Sequence, residues 1–63
     1  MDGSDKGYIV EFRRIGSAVK VSACDPATLT EVSIVGSARS PGAVLEQAAI
    51  RKLEAALAAR RRG

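Results

Sequence analysis

Three short stretches of this chain alternate apolar and polar residues with a period of two, and two turn signals separate them; no other feature restricts the fold as much. Tyr8, Val10 and Phe12 share one face of the first stretch, with Ile9, Glu11, Arg13 and Ile15 on the other. Val19, Val21 and Ala23 repeat the pattern against Ala18, Lys20, Ser22 and Cys24. Thr30, Val32 and Ile34 do so again against Glu31, Ser33 and Val35. Period-two runs rich in Val and Ile read as strands with one face buried.

The turn residues fix how such strands pair. A two-residue loop of Gly16 and Ser17 sets Ile15 opposite Ala18, Phe12 opposite Val21 and Val10 opposite Ala23. Gly at the first loop position suits a type II′ turn, where φ is positive. The second turn reads Asp25-Pro26-Ala27-Thr28: Pro26 presets φ, and the Asp25 carboxylate accepts a local backbone hydrogen bond. That loop sets Ala23 opposite Thr30, Val21 opposite Val32 and Val19 opposite Ile34. Both turns bring the apolar sets to one side of the sheet, and a slip of one residue would scatter them.

Beyond Gly36 the pattern changes. Ser40 at the N-cap and Pro41 at the first helical position predict a helix start. Residues 41–61 are rich in Ala, Leu, Glu, Lys and Arg, all good helix formers. Leu45, Ala49, Ile50, Leu53, Ala56 and Leu57 form an apolar stripe about 140° wide at about 100° per residue. Arg60, Arg61 and Arg62 fall at the C-terminal end, where the helix dipole favours cations. The expected fold is α+β: a three-stranded antiparallel β-meander with one long C-terminal helix packed on one face (βββα). The covered face carries Val10, Phe12, Val19, Val21, Val32 and Ile34. Residues 1–7 read as a disordered tail and 8–61 as a single domain. A helix of about 31 Å outruns a seven-residue strand of about 23 Å, so its basic end overhangs the sheet.

Composition removes several classes of function. The chain has no His and a single Cys, Cys24, which excludes a disulfide framework or a structural zinc site within one chain. No apolar run is long enough to span a membrane and no signal peptide begins the chain, so no membrane partner is expected and the expected compartment is the cytoplasm. A chain of 6.6 kDa buries only about 60% of its unfolded surface, so a second chain would help it. Charge is uneven. Through Ala38 there are four basic and five acidic residues; from Arg39 onward there are six basic and two acidic.

The run Gly16…Val19-Lys20-Val21-Ser22-Ala23…Asp25-Pro26…Thr28…Thr30-Glu31-Val32-Ser33-Ile34-Val35-Gly36, followed by Arg51-Lys52-Leu53-Glu54, resembles a family of short, uncharacterised alphaproteobacterial proteins. The likeness covers roughly residues 8–60. Where that family implies Gly after Thr28, this chain has Leu29, which favours the longer loop. The resemblance implies no activity and no catalytic residues. Some relatives are labelled serine hydroxymethyltransferases. A pyridoxal enzyme needs a buried Schiff-base lysine, a phosphate cradle and a substrate pocket, and 63 residues do not enclose them.

Chemistry has little to stand on, and neither a catalytic residue, a metal site nor a cofactor is expected. Cys24 lacks a His to activate it and reads as a small, half-buried apolar residue. Glu11 and Glu31 flank Ser22 on the open face, but with Arg13 and Lys20 beside them they read as members of cross-strand ion pairs. Ser37 to Gly42 leads into a helix N-terminus without the spacing of a phosphate loop. Two functions remain. The first is a non-catalytic interaction module that self-associates as a homodimer, or binds another protein, through the uncovered sheet face or an edge strand. Ile9, Ile15, Ala18, Cys24, Leu29 and Val35 are its expected interface. The second is a nucleic-acid-binding accessory protein using Arg51, Lys52, Arg60, Arg61 and Arg62 on phosphates. A sheet without an aromatic platform and a net charge of only +3 make it the lesser expectation.

Overall fold

The computed structural model describes residues 7–62. Strand β1 (Ile9–Ile15), β2 (Ala18–Asp25) and β3 (Thr30–Ser37) form an antiparallel sheet in the order β1-β2-β3, and helix α1 (Gly42–Arg62) follows. The expected tail at residues 1–7 lies outside the described residues except for Gly7.

The first hairpin has the expected register: Ile15 faces Ala18, Phe12 faces Val21 and Val10 faces Ala23. Gly16 supplies the positive φ, 61°, that a type II′ turn needs at its first loop position. The second hairpin departs from expectation by two residues. Asp25 pairs with Thr30, Ala23 with Val32, Val21 with Ile34 and Val19 with Gly36. The loop is still four residues long, but it runs from Pro26 to Leu29. Asp25 is therefore the last strand residue, and from there it accepts hydrogen bonds from the Ala27 N–H (3.2 Å) and the Thr28 hydroxyl (3.0 Å). Leu29 makes the return in the left-handed region at φ 59°. A slip of two residues keeps every side chain on its expected face, because the side-chain period is two.

Helix α1 lies over β2 and β3. Leu45, Ala49 and Leu53 project from it onto Val21 and Ala23, and these five residues form the buried core. Tyr8, Val10, Val19, Val32, Ile34 and Leu57 pack around them. Phe12 does not join the core as expected: it is 50% exposed. The helix sits towards β3, so the inner face of β1 is left at its rim. Ala23 of β2 and Ala49 of α1 are both fully buried in this core.

The helix starts one residue later than expected. The Pro41 carbonyl accepts from the N–H groups of Val44 (3.1 Å) and Leu45 (3.3 Å), so Pro41 occupies the cap position. Ser40 instead donates its backbone N–H to the Ser37 carbonyl (3.0 Å), closing a turn, while the Ser37 hydroxyl accepts from the Arg39 N–H (3.0 Å). Gly36 has a steric role the sequence did not disclose. A Cβ there would stand 2.5 Å from Leu45 Cδ2, so Leu45 seats directly on bare backbone.

Candidate interaction surface

The open face of the sheet is read row by row from the register. Ile9, Cys24 and Glu31 form one end row; Glu11, Ser22 and Ser33 the next; then Arg13, Lys20 and Val35; and Ile15, Ala18 and Ser37 the other end. The six expected interface residues are thus not brought together. Ile9 with Cys24 and Ile15 with Ala18 lie at opposite ends, Val35 stands on the far edge beside Lys20, and Leu29 projects from the loop at 83% exposure. The middle of the face is polar. The expected ion pairs also fail as direct cross-strand pairs: Glu11 faces Ser22, Glu31 faces Cys24, and Arg13 faces Lys20, a like charge.

The edges differ more than the face suggests. In a two-residue hairpin the pair next to the loop exchanges backbone hydrogen bonds, and bonded pairs then alternate along the ladder. Ile15, Arg13, Glu11 and Ile9 therefore bond to β2. The N–H and C=O groups of Val10, Phe12 and Arg14 point outwards, away from the sheet. By the same alternation the outward groups of β3 belong to Glu31, Ser33, Val35 and Ser37. The hydrogen bond from the Ala38 N–H to the Ser17 carbonyl (2.9 Å) continues the β2–β3 ladder in this phase. On the β3 edge the ammonium of Lys52 donates to the outward carbonyl of Ser33 at 2.8 Å. The helix thereby reaches over and occupies the middle of that edge.

β1 has a lighter attachment to α1. Tyr8, just ahead of it, donates its hydroxyl to Glu54 at a long 3.5 Å. At the start of α1, the ring of Phe12 from the middle of β1 lies near Gly42, where a Cβ would be 3.9 Å from Cε2. Arg14 turns back on its own chain and donates Nε to the Gly16 carbonyl (2.9 Å). Every residue of β1 except Val10 is exposed.

Residues 5–61 match the family model described as a domain of unknown function, DUF6898. The chain belongs to that family. No curated protein and no solved structure matches it. The remaining candidate groups of this DUF6898 domain are scattered. Cys24 is a free, half-buried thiol between Ile9 and Glu31. Among the described residues no cluster of three His, Cys, Asp or Glu side chains is placed to hold a metal, and no helix is long and apolar enough to cross a membrane. Arg51, Arg60, Arg61 and Arg62 are exposed, and at about 100° per residue they radiate around α1 rather than forming one stripe. Lys52 is engaged at the sheet edge, and Arg61 stands with Tyr8, Glu54 and Leu57 at a shallow depression.

Proposed function

We propose that this domain is a non-catalytic interaction module whose working element is the free edge of β1, which takes up a further strand from a partner protein. The observation that carries the reading is the contrast between the edges. The outward backbone groups of Val10, Phe12 and Arg14 stand on an exposed strand, whereas on the β3 edge the outward carbonyl of Ser33 is taken by Lys52. An exposed row of N–H and C=O groups is a template for strand addition, which gives affinity through main-chain hydrogen bonds. A half-exposed aromatic at the centre of that strand, Phe12, offers the kind of anchor that interfaces favour.

The second reading, a nucleic-acid accessory protein, has less support because its cations diverge around the helix. A single free thiol and the likeness to short alphaproteobacterial proteins suit the reducing bacterial cytoplasm, where we place it.

The test is photocrosslinking in cells, with a photoreactive phenylalanine analogue at position 12 and, as a control, at the exposed position 47 of α1. Protein adducts that form from position 12 and not from 47 support the reading. Adducts equal at both positions, or none at 12, overturn it.

A further inference from the structure

The residues along β1 are self-complementary. Ile9-Val10-Glu11-Phe12-Arg13-Arg14-Ile15 places an apolar residue at each end, an acid and a base symmetrically about the centre, and the aromatic at the centre. We infer that the strand taken up by the β1 edge is the β1 of a second copy of this chain, paired antiparallel about a twofold axis through Phe12; this rests on the reading of that edge as the interaction element.

The register follows from backbone phase and charge together. Only Val10, Phe12 and Arg14 offer outward groups within the strand, so these residues must bond to their counterparts, which restricts the twofold registers to alternate positions. Centring the pair on Phe12 sets Glu11 opposite the second copy's Arg13, and Arg13 opposite its Glu11. It also sets Ile9 opposite Ile15, Val10 opposite Arg14 and Phe12 opposite Phe12. Shifting by one permitted step in either direction stacks Glu11 on Glu11 or Arg13 on Arg13, which like-charge repulsion across a ladder disfavours. Within its own sheet Arg13 faces Lys20, so the carboxylate it meets in the dimer is the opposite charge that it lacks on that row.

Sterics agree. The twofold axis stands perpendicular to the sheet, so both helices lie on the same side. With α1 over β2 and β3, the two helices stand roughly four strand spacings apart, about 19 Å, beyond the ~10 Å of touching helices. The product is a continuous six-stranded sheet with the order β3-β2-β1-β1-β2-β3, joined by about six backbone hydrogen bonds. Both of its outer edges are then β3, each with the Ser33 carbonyl taken by Lys52, which opposes the addition of a further strand and favours closure at the dimer. So short a contact falls in the weak, reversible class of interfaces.

The experiment is sedimentation equilibrium on the whole chain over micromolar to millimolar concentrations, with circular dichroism to check that each variant folds. The wild type should pass from 6.6 kDa towards twice that mass. Glu11→Arg or Arg13→Glu alone opposes like charges twice and should weaken the dimer about tenfold or more. An equimolar mixture of the two single variants, and the double variant Glu11→Arg/Arg13→Glu, restore opposite charges on every row and should recover it. A mass of 6.6 kDa at every concentration overturns the inference. So does a dimer that both single variants leave unchanged. If position 12 still crosslinks to some other protein while the chain stays monomeric, the second copy is excluded and the edge reading survives. If it crosslinks to nothing, both fall.

Discussion

The two outer strands are built from similar alternating residues, yet the helix treats them differently. β3 lies under α1, seats Leu45 on Gly36, and has an outward carbonyl taken by Lys52. β1 is tied by a long Tyr8–Glu54 hydrogen bond and is exposed along nearly its whole length. The lesson is that a single helix on a three-stranded sheet need not sit centrally. Displaced to one side, it makes one edge structural and leaves the other available, without any cleft or catalytic group.

Substitutions that separate the two sides should reveal this division. The largest contrast is Leu53→Ala against Phe12→Ala. Leu53 is fully buried against β2 and β3, and its truncation should cost about 2–5 kcal/mol. Phe12→Ala, measured by urea unfolding at concentrations where the chain is monomeric, should cost well under half as much because the ring is half exposed. Equal losses would mean that β1 belongs to the core after all.

Gly36→Val tests the β3 side from the other direction. It places a branched side chain where Leu45 already sits, and overpacking of this kind should destabilise by about 1–3 kcal/mol. Gly16→Val, by contrast, meets no neighbouring atom and strains only the turn. A smaller effect, of the opposite sign, is expected at Leu29. Replacement by Gly removes a side chain from the left-handed region and should stabilise the second hairpin by about 1 kcal/mol, read as a rise in the unfolding midpoint. Lys52→Ala should cost the least in stability, about 0.5–1 kcal/mol. Its informative readout is mass: with the Ser33 carbonyl uncovered, species larger than a dimer should appear on concentration. If none do, Lys52 is not what closes that edge.

How far the sequence reached depends on which residues carry a local signal. Gly16 announces its own conformation, so the first hairpin could be aligned residue by residue. The second turned on Leu29, and nothing about leucine signals a positive φ. The residues alone therefore open the loop at Asp25, whereas Asp25 ends β2 and the loop opens at Pro26. Because that slip was two residues, the core side chains stayed on their face while their neighbours changed. Glu31 moved from Ser22 to Cys24, and Val35 came to stand beside Lys20. The lateral position of α1 was not legible at all. Periodicity says which stripe of the helix is apolar but not which strands it covers, so neither the exposure of Phe12 nor the reach of Lys52 to Ser33 could be anticipated. The sequence pointed to the apolar residues Ile9, Ile15, Ala18, Cys24, Leu29 and Val35 and assigned Glu11 and Arg13 to ion pairs within the sheet, because alternation tells which face a residue takes but not which residue stands beside it.

The seat of Leu45 on Gly36 also bears on the order in which the chain assembles. These two residues are only nine positions apart, whereas Leu53 must find Val21 and Tyr8 must find Glu54 across much longer loops. Closing the shortest loop costs the least chain entropy. Among the contacts between helix and sheet, docking of the helix start on the end of β3 is therefore expected to lead, with the Tyr8–Glu54 link beside β1 closing last. The strand that the helix ties down last is the one left to meet another molecule.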